Sequence, residues 1–289
     1  MLVIFTDTDM DVTPEVAARY GFKLISMPYS VNGKTTYPYV DFDTFDSKAF
    51  YDMLRAGTIP NTSAINEEEY INYFEPVFAE GNDILYVHFS RAMSATFEGM
   101  DKAVKTLLEK YPERKFYEID TKGISIVSLN IACEVGDMYL AGKTAEEMVE
   151  WAKEEVDRFA VYFFADDLRF FKHRGRVSGL AGTMGTLLGI RPIIYMNQEG
   201  KMVSIGKEKG RAKAVERLVS YVEELGDDIR GHRILVASTD CDDIAAEVIE
   251  SLHERLGSDL DVELVKVNPT AGSHCGPNAT GICFHAIHR

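Results

Sequence analysis

The sequence predicts an α/β protein in two units, residues 1–160 and 161–289. Short β-rich runs alternate with helical periods along nearly the whole chain. Several strand ends pass directly into small loops rich in hydroxyl or acidic residues, and no repeat, low-complexity tract or long linker intervenes. Leu2 to Thr6 reads as a buried strand, followed by a helix that Thr13 caps and Pro14 opens. Tyr29 to Thr36 carries Asn32-Gly33, the strongest short hairpin signal. Helices are expected over Ser47 to Ala56 and Glu67 to Ala79, then a strand from Asp83 to His88 backed by a helix from Ser94 to Lys110. A strand from Lys115 to Ile119 and a helix from Ile124 to Ala141 follow, and Thr144 with Glu147 forms a capping box for one more helix.

The second unit opens with the strand Phe159 to Ala165. It continues through a Gly-spaced helix over Ser178 to Gly189, the strand Pro192 to Met196 and a hairpin at Asn197 to Gly200. Beyond these come a helix from Arg211 to Leu225, a strand from Arg233 to Ser238 and a helix from Asp243 to Leu256. Two last strands, Val262 to Val267 and Gly281 to Ile287, flank a Gly-rich loop.

Composition narrows the partners. A net charge of −15 opposes nucleic acid and leaves at most transient contact with an anionic membrane surface. The four cysteines, Cys133, Cys241, Cys275 and Cys283, are widely spaced, as befits free thiols rather than a disulfide framework or zinc site. The N-terminus reads as a strand, not a signal peptide, and no apolar run reaches membrane-span length, so a cytoplasmic protein is expected.

Three small polar segments carry the chemistry. Asn61-Thr-Ser63 precedes a helix, Ser90 to Thr96 follows a strand, and Gly272 to Gly281 combines Ser273, His274 and Cys275 with glycines. Hydroxyls and unpaired N–H groups at such places suit a carboxylate, and the carboxyl ends of strands in open α/β sheets are where ligands bind. Ser94 stands at the start of its helix and is the preferred donor. No metal cage, nucleotide loop or cofactor fingerprint accompanies these segments, so neither metal nor cofactor is expected. A second class stays open. Asp7, Asp9 and Asp11 alternate after the first strand, as in magnesium-dependent phosphatases with an aspartyl nucleophile, or they cap the turn and helix that follow. His274-Cys275 also allows a cysteine hydrolase, although adjacent residues seldom align base and thiol.

Taken together, several segments resemble the DegV family of bacterial fatty-acid-binding proteins. The matching pieces are Thr6-Asp-Thr-Asp-Met-Asp-Val12, Pro60-Asn-Thr-Ser63, Phe89 to Phe97, Asp167 to Ser178, Ile190-Arg-Pro-Ile193, Arg211 and Ser273-His-Cys-Gly-Pro277, in family order along the chain. The resemblance implies an N-terminal Rossmann-like parallel sheet, a C-terminal α/β domain with a mixed sheet, and one long-chain fatty acid of palmitate, stearate or oleate type buried in a tunnel between them. It implies that Thr62 and Ser94 hold the carboxylate, with Ser63, Arg176, Arg211 and His274 near the head group. It further implies a carrier without catalysis of its own, which presents the acid to a separate ATP-dependent fatty acid kinase subunit for phospholipid metabolism. Two departures stand out. Ala95 replaces the family's usual Gly, and Asn278 falls where a glycine run is common and is expected to supply a left-handed turn.

Overall fold

The computed structural model describes residues 1–166, 168–174, 176–179 and 189–289, with backbone alone for 172–174. Strand β1 (Leu2–Asp7) ends in a one-turn 3-10 helix, and α1 (Pro14–Tyr20) follows with the Thr13 hydroxyl accepting from Val16 N–H. After β2 (Lys23–Ile25), β3 (Tyr29–Val31) and β4 (Lys34–Thr36) form the hairpin that Asn32-Gly33 predicts, both turn residues having positive φ. Helix α2 (Ser47–Arg55) leads to the two-residue strand β5 (Asn61–Thr62), which pairs with β3 and completes a small three-stranded sheet. Next come α3 (Glu67–Ala79), β6 (Asp83–His88), α4 (Thr96–Lys110), β7 (Phe116–Asp120), α5 (Ile126–Leu140) and α6 (Ala145–Glu155). The Thr144–Glu147 capping box is present.

The first large sheet has the order β2-β1-β6-β7 and is parallel throughout. From β1 the chain moves outward to β2, whereas from β6 it moves the opposite way to β7. The order therefore reverses between β1 and β6, and the crevice beyond their carboxyl ends is where an open sheet accepts a ligand.

Strand β8 (Phe159–Ala165) begins the second large sheet. It is followed by α7 (Arg169–Arg174), β9 (Val177–Ser178), β10 (Ile190–Met196), β11 (Met202–Lys209), α8 (Arg211–Leu225), β12 (Ile234–Ser238), α9 (Asp242–Leu256), β13 (Val262–Lys266), α10 (Pro269–Cys275) and β14 (Ala279–His285). Its seven strands run β13-β12-β14-β8-β10-β11-β9 with mixed directions. Strand alternation separates its two faces. Tyr162, Phe164, Val236 and Ile282 pack under α8 and α9, while Val161, Ala165, Ala237 and Ala279 join the core of the first sheet. One continuous apolar core thus spans the interval between the two large sheets.

Three expectations shift. The helix expected from Ser94 starts at Thr96, after a 3-10 turn at Arg91–Met93. The loop expected over 272–281 is partly helical, because Asn268 caps Ala271 N–H and Pro269 occupies the first position of α10. The Asn-Pro pair was the available signal. The Gly-spaced helix expected over 178–189 falls mostly on 180–188, outside the described residues.

Candidate functional site

A cavity of about 230 Å³ lies in the crevice at the carboxyl ends of β1 and β6. Its first wall comes from the loops after those strands, including Asp9, Phe89, Met93 and Ser94, and from the entrance to α5. The facing wall is the second sheet, through Val161 and Phe163 of β8, Met196 of β10, Met202 of β11 and Ala237 of β12. Helix α10 closes one side with Thr270, Ala271 and His274.

Exposure gives the cavity a direction. Ser63, Ala64, Ala95 and Arg176 on its wall are exposed, Thr62, Ser94 and His274 are half-buried, and Thr96, Thr239 and Thr280 are buried. The opening is therefore at the first group, and the residues behind it are mostly apolar. At the rim, Thr62 Oγ1 and His274 Nε2 are 3.1 Å apart. β5 places Thr62 there through its pairing with Tyr29 of β3, and the last turn of α10 brings in His274. Ser94 Oγ accepts from Thr96 N–H at 3.2 Å, which fixes its side chain and leaves its proton for another acceptor.

The structure thus brings five of the six expected site residues, Thr62, Ser63, Ser94, Arg176 and His274, to one cavity. Arg211 is not among its described lining residues. It stands exposed at the start of α8 and pairs with Asp243 at 3.2 Å and Glu247 at 2.8 Å. Two residues of the matched segment Asp167 to Ser178, Asp167 and Gly175, lie outside the described residues.

Deeper in, most hydroxyls are already committed. Thr96 donates to Ile65 O, Thr270 to Met27 O, Thr239 to Ala279 O and Thr280 to Ala237 O, at 2.8–3.2 Å. Their polarity is satisfied inside the walls, so the interior offers a chain mainly methyl and aromatic surface. Thr96 and Thr280 fall within two of the polar segments named from the sequence, whereas Thr239 and Thr270 fall outside them, since an isolated threonine carries no local signature.

The aspartates form a buried row with divided work. Asp7 accepts from Asp9 N–H, Phe89 N–H and the Tyr86 hydroxyl. Asp11 accepts from Asn268 N–H at 2.7 Å, from Asn268 Nδ2 at 2.6 Å and from the Ser125 hydroxyl. Ser125 has a φ of 59°, a conformation unfavourable for a side-chain-bearing residue, and its N–H donates to Asp9 O at 2.9 Å. Burial pushes Asp7 well above the ordinary carboxylate range, with the charge of Asp9 adding to it. Burial pushes Asp9 up to about 7, against the Thr270 hydroxyl beside it, and Asp11 up to about 6, against Ser125 and Asn268. Asp7 thereby ties the end of β1 to the end of β6, and Asp11 ties the turn after β1 to the starts of α5 and α10. Among the described residues no group of three or more His, Cys, Asp or Glu side chains could hold a metal ion. Burial pushes the Cys275 thiol up to about 12, and the neighbouring His274 ring meets Thr62 instead. Neither feature favours a thiolate nucleophile.

Mixed α/β layers around an apolar chamber with a hydroxyl-lined mouth define a small-ligand-binding architecture. The chain belongs to the DegV family, matching over residues 1–286 the family model described as "Uncharacterised protein, DegV family". A DegV domain-containing protein of Clostridium perfringens is 29% identical over 282 residues, covering 98% of this chain and 96% of the relative. Among solved structures, a stearic-acid-binding protein of Eubacterium ventriosum matches with a TM-score of 0.86 at 20% identity, covering 98% of each chain. DegV of Bacillus subtilis, described as a fatty acid binding protein, matches with a TM-score of 0.82 at 21% identity, covering 99% of each chain. Among the described residues no helix is long and apolar enough to cross a membrane.

Proposed function

We propose that this protein binds one long-chain fatty acid in a tunnel between units 1–160 and 161–289, with its carboxylate at Thr62 and Ser94. The observation that carries this reading is the graded cavity, with hydroxyls and an imidazole at an exposed rim and apolar walls behind them. The fatty-acid-binding descriptions of its structural neighbours support the same ligand class. Burying about fifteen methylenes at roughly 0.8 kcal/mol each gives about 12 kcal/mol gross. Loss of rotational and translational freedom and ordering of the tail offset a large part of that. Two hydroxyl donors then suffice to orient the acid, with His274 positioning Thr62 and Ser63 and Arg176 flanking the rim.

The protein is a cytoplasmic carrier in this reading, without catalysis of its own. A carboxylate held by neutral hydroxyls near the surface keeps more nucleophilicity than one clamped in a buried ion pair. It is thus suited to phosphorylation by a separate ATP-dependent kinase subunit, and the exposed Arg176 and Arg211 belong to the surface that such a subunit meets. Native mass spectrometry of the purified protein, followed by denaturing extraction, tests the ligand. One stoichiometric fatty acid is the expected result. A protein that is empty and takes up neither added stearate nor oleate would sink the proposal.

A further inference from the structure

The turn Asn197 to Gly200, which joins β10 to β11, is braced from within. Asn197 Oδ1 accepts from Glu199 N–H at 3.1 Å and Lys201 N–H at 2.9 Å, and Gly200 N–H donates to Asn197 O at 2.9 Å. The tip of this hairpin seats on the first unit, where the Ser90 hydroxyl donates to Gly200 O at 2.9 Å and both residues are buried. Gly200 has a φ of 72°, and a Cβ there would lie 2.1 Å from Ser90 Oγ and 3.3 Å from Lys122 Cα. Only glycine allows the tip this close. At the base of the same hairpin Met196 and Met202 lie opposite each other in register, and both line the cavity.

Ser90 works in a second direction. Its Oγ accepts from Ala92 N–H at 3.2 Å and its carbonyl from Met93 N–H at 3.1 Å, which caps the 3-10 turn Arg91–Met93. Ser94 follows that turn directly. Arg91 ties the turn to Glu118 and Asp101 of the first unit, at 2.8 Å each, whereas Ser90 ties it to the second unit. Ser90 itself is 1% exposed and is not among the described residues lining the cavity. We propose that Ser90 is a positioning residue: bonded to Gly200 O, it fixes the place of Ser94 Oγ and so the affinity for a carboxylate, without touching the ligand. This inference rests on the fatty-acid reading above and adds to its site a residue that acts through another. A serine hydroxyl has one proton to donate, and here it goes to Gly200 while a lone pair serves Ala92. Ser90→Ala removes both bonds at once and frees the turn to shift. A displacement of about 1 Å is enough to break the hydrogen bond that Ser94 offers.

The test is competition binding of stearate and of methyl stearate, which keeps the tail but lacks the charge. It uses delipidated wild type, Ser90→Ala, Ser94→Ala, the double variant and Gly200→Ala. Ser90→Ala should weaken stearate roughly three- to tenfold, up to the worth of one hydrogen bond to a charged group, and change methyl stearate by less than about twofold. In the Ser94→Ala background it should cost stearate nothing further, because both residues act through one contact. Gly200→Ala, which presses the tip against Ser90 from the other side, should show the same selective loss, and it carries the comparison if Ser90→Ala does not fold. Equal losses for acid and ester would overturn the inference by leaving Ser90 a general role in the fold. Additive losses in the double variant, or unchanged stearate affinity in both Ser90→Ala and Gly200→Ala, would overturn it as well while fatty acid binding stands. If wild type binds neither compound, the fatty-acid reading itself has failed and the inference falls with it.

Discussion

The rim of the cavity and the aspartate row behind it use similar small polar residues to opposite ends. At the rim, Thr62, Ser94 and His274 are half-buried, and their polar atoms face a place where a ligand or water can meet them. Losing one of them removes a contact without opening a hole in the fold. In the row, Asp7 and Asp11 are nearly inaccessible; Asp7 fastens the end of β1 to β6, and Asp11 fastens the turn after β1 to α5 and α10. Water cannot replace those partners cheaply. The same chemistry is therefore a recognition device in one environment and a structural joint in the other, and Asp9 stands between them.

The sharpest break in this contrast should come from Asp11→Ala. It leaves two buried donors of Asn268 and the Ser125 hydroxyl without their acceptor. The expected loss is about 3 kcal/mol in urea unfolding. A loss under about 1 kcal/mol would show that Asp11 is not a joint.

Thr62→Val combined with Ser94→Ala should do the reverse. Fatty acid affinity should fall roughly 10- to 100-fold, as expected for two hydrogen bonds to a charged group, while the unfolding midpoint of the ligand-free protein changes little. Isothermal titration with stearate reads the first, and denaturant unfolding the second. Undiminished affinity would place the carboxylate elsewhere.

Asp9→Asn sharpens the middle case through pH. The folded Asp9 titrates at about 7 and Asp11 at about 6, both above the ordinary value of 3.8. A raised carboxyl pKa means that the fold favours the protonated form. The stability this contributes is fully present below the unfolded value and is lost as pH rises through the folded one. Wild type should accordingly lose stability between about pH 4 and 7 through these groups. Asp9→Asn should flatten that loss and unfold about 2 kcal/mol harder than wild type at about pH 8. Equal stability at that pH, measured by denaturant unfolding, would contradict the penalty for burying this carboxylate.

The smallest effect is expected at Arg211→Ala, which removes two exposed ion pairs worth at most about 1 kcal/mol together. Stearate affinity should move by less than about twofold. A larger fall would return Arg211 to the head-group site.

Much of this arrangement was legible in the residues. The β1 and β6 strands, the Asn32-Gly33 hairpin, the Thr144 capping box and the left-handed Asn278, with a φ of 61°, all follow local rules of period, capping and turn chemistry. Thr62, Ser94 and His274 could be nominated because each sits in a small polar segment beside a strand or helix end. What escaped depends on distant partners. β5 is two residues long and exists through its pairing with β3. The joint made by Asp11 needs Asn268, 257 positions away. The placement of Arg211 on an exposed face depends on α9 supplying Asp243 and Glu247. Sequence pattern alone carries none of these separations.

The most direct test of the rim as the carboxylate site is a crystal structure of the protein with stearate bound. The chain should run from Thr62 and Ser94 at the exposed rim inward between Phe89 and Phe163, with carboxylate oxygens within hydrogen-bonding distance of both hydroxyls. A carboxylate at the deep end of the cavity, or stearate bound outside it, would contradict the account.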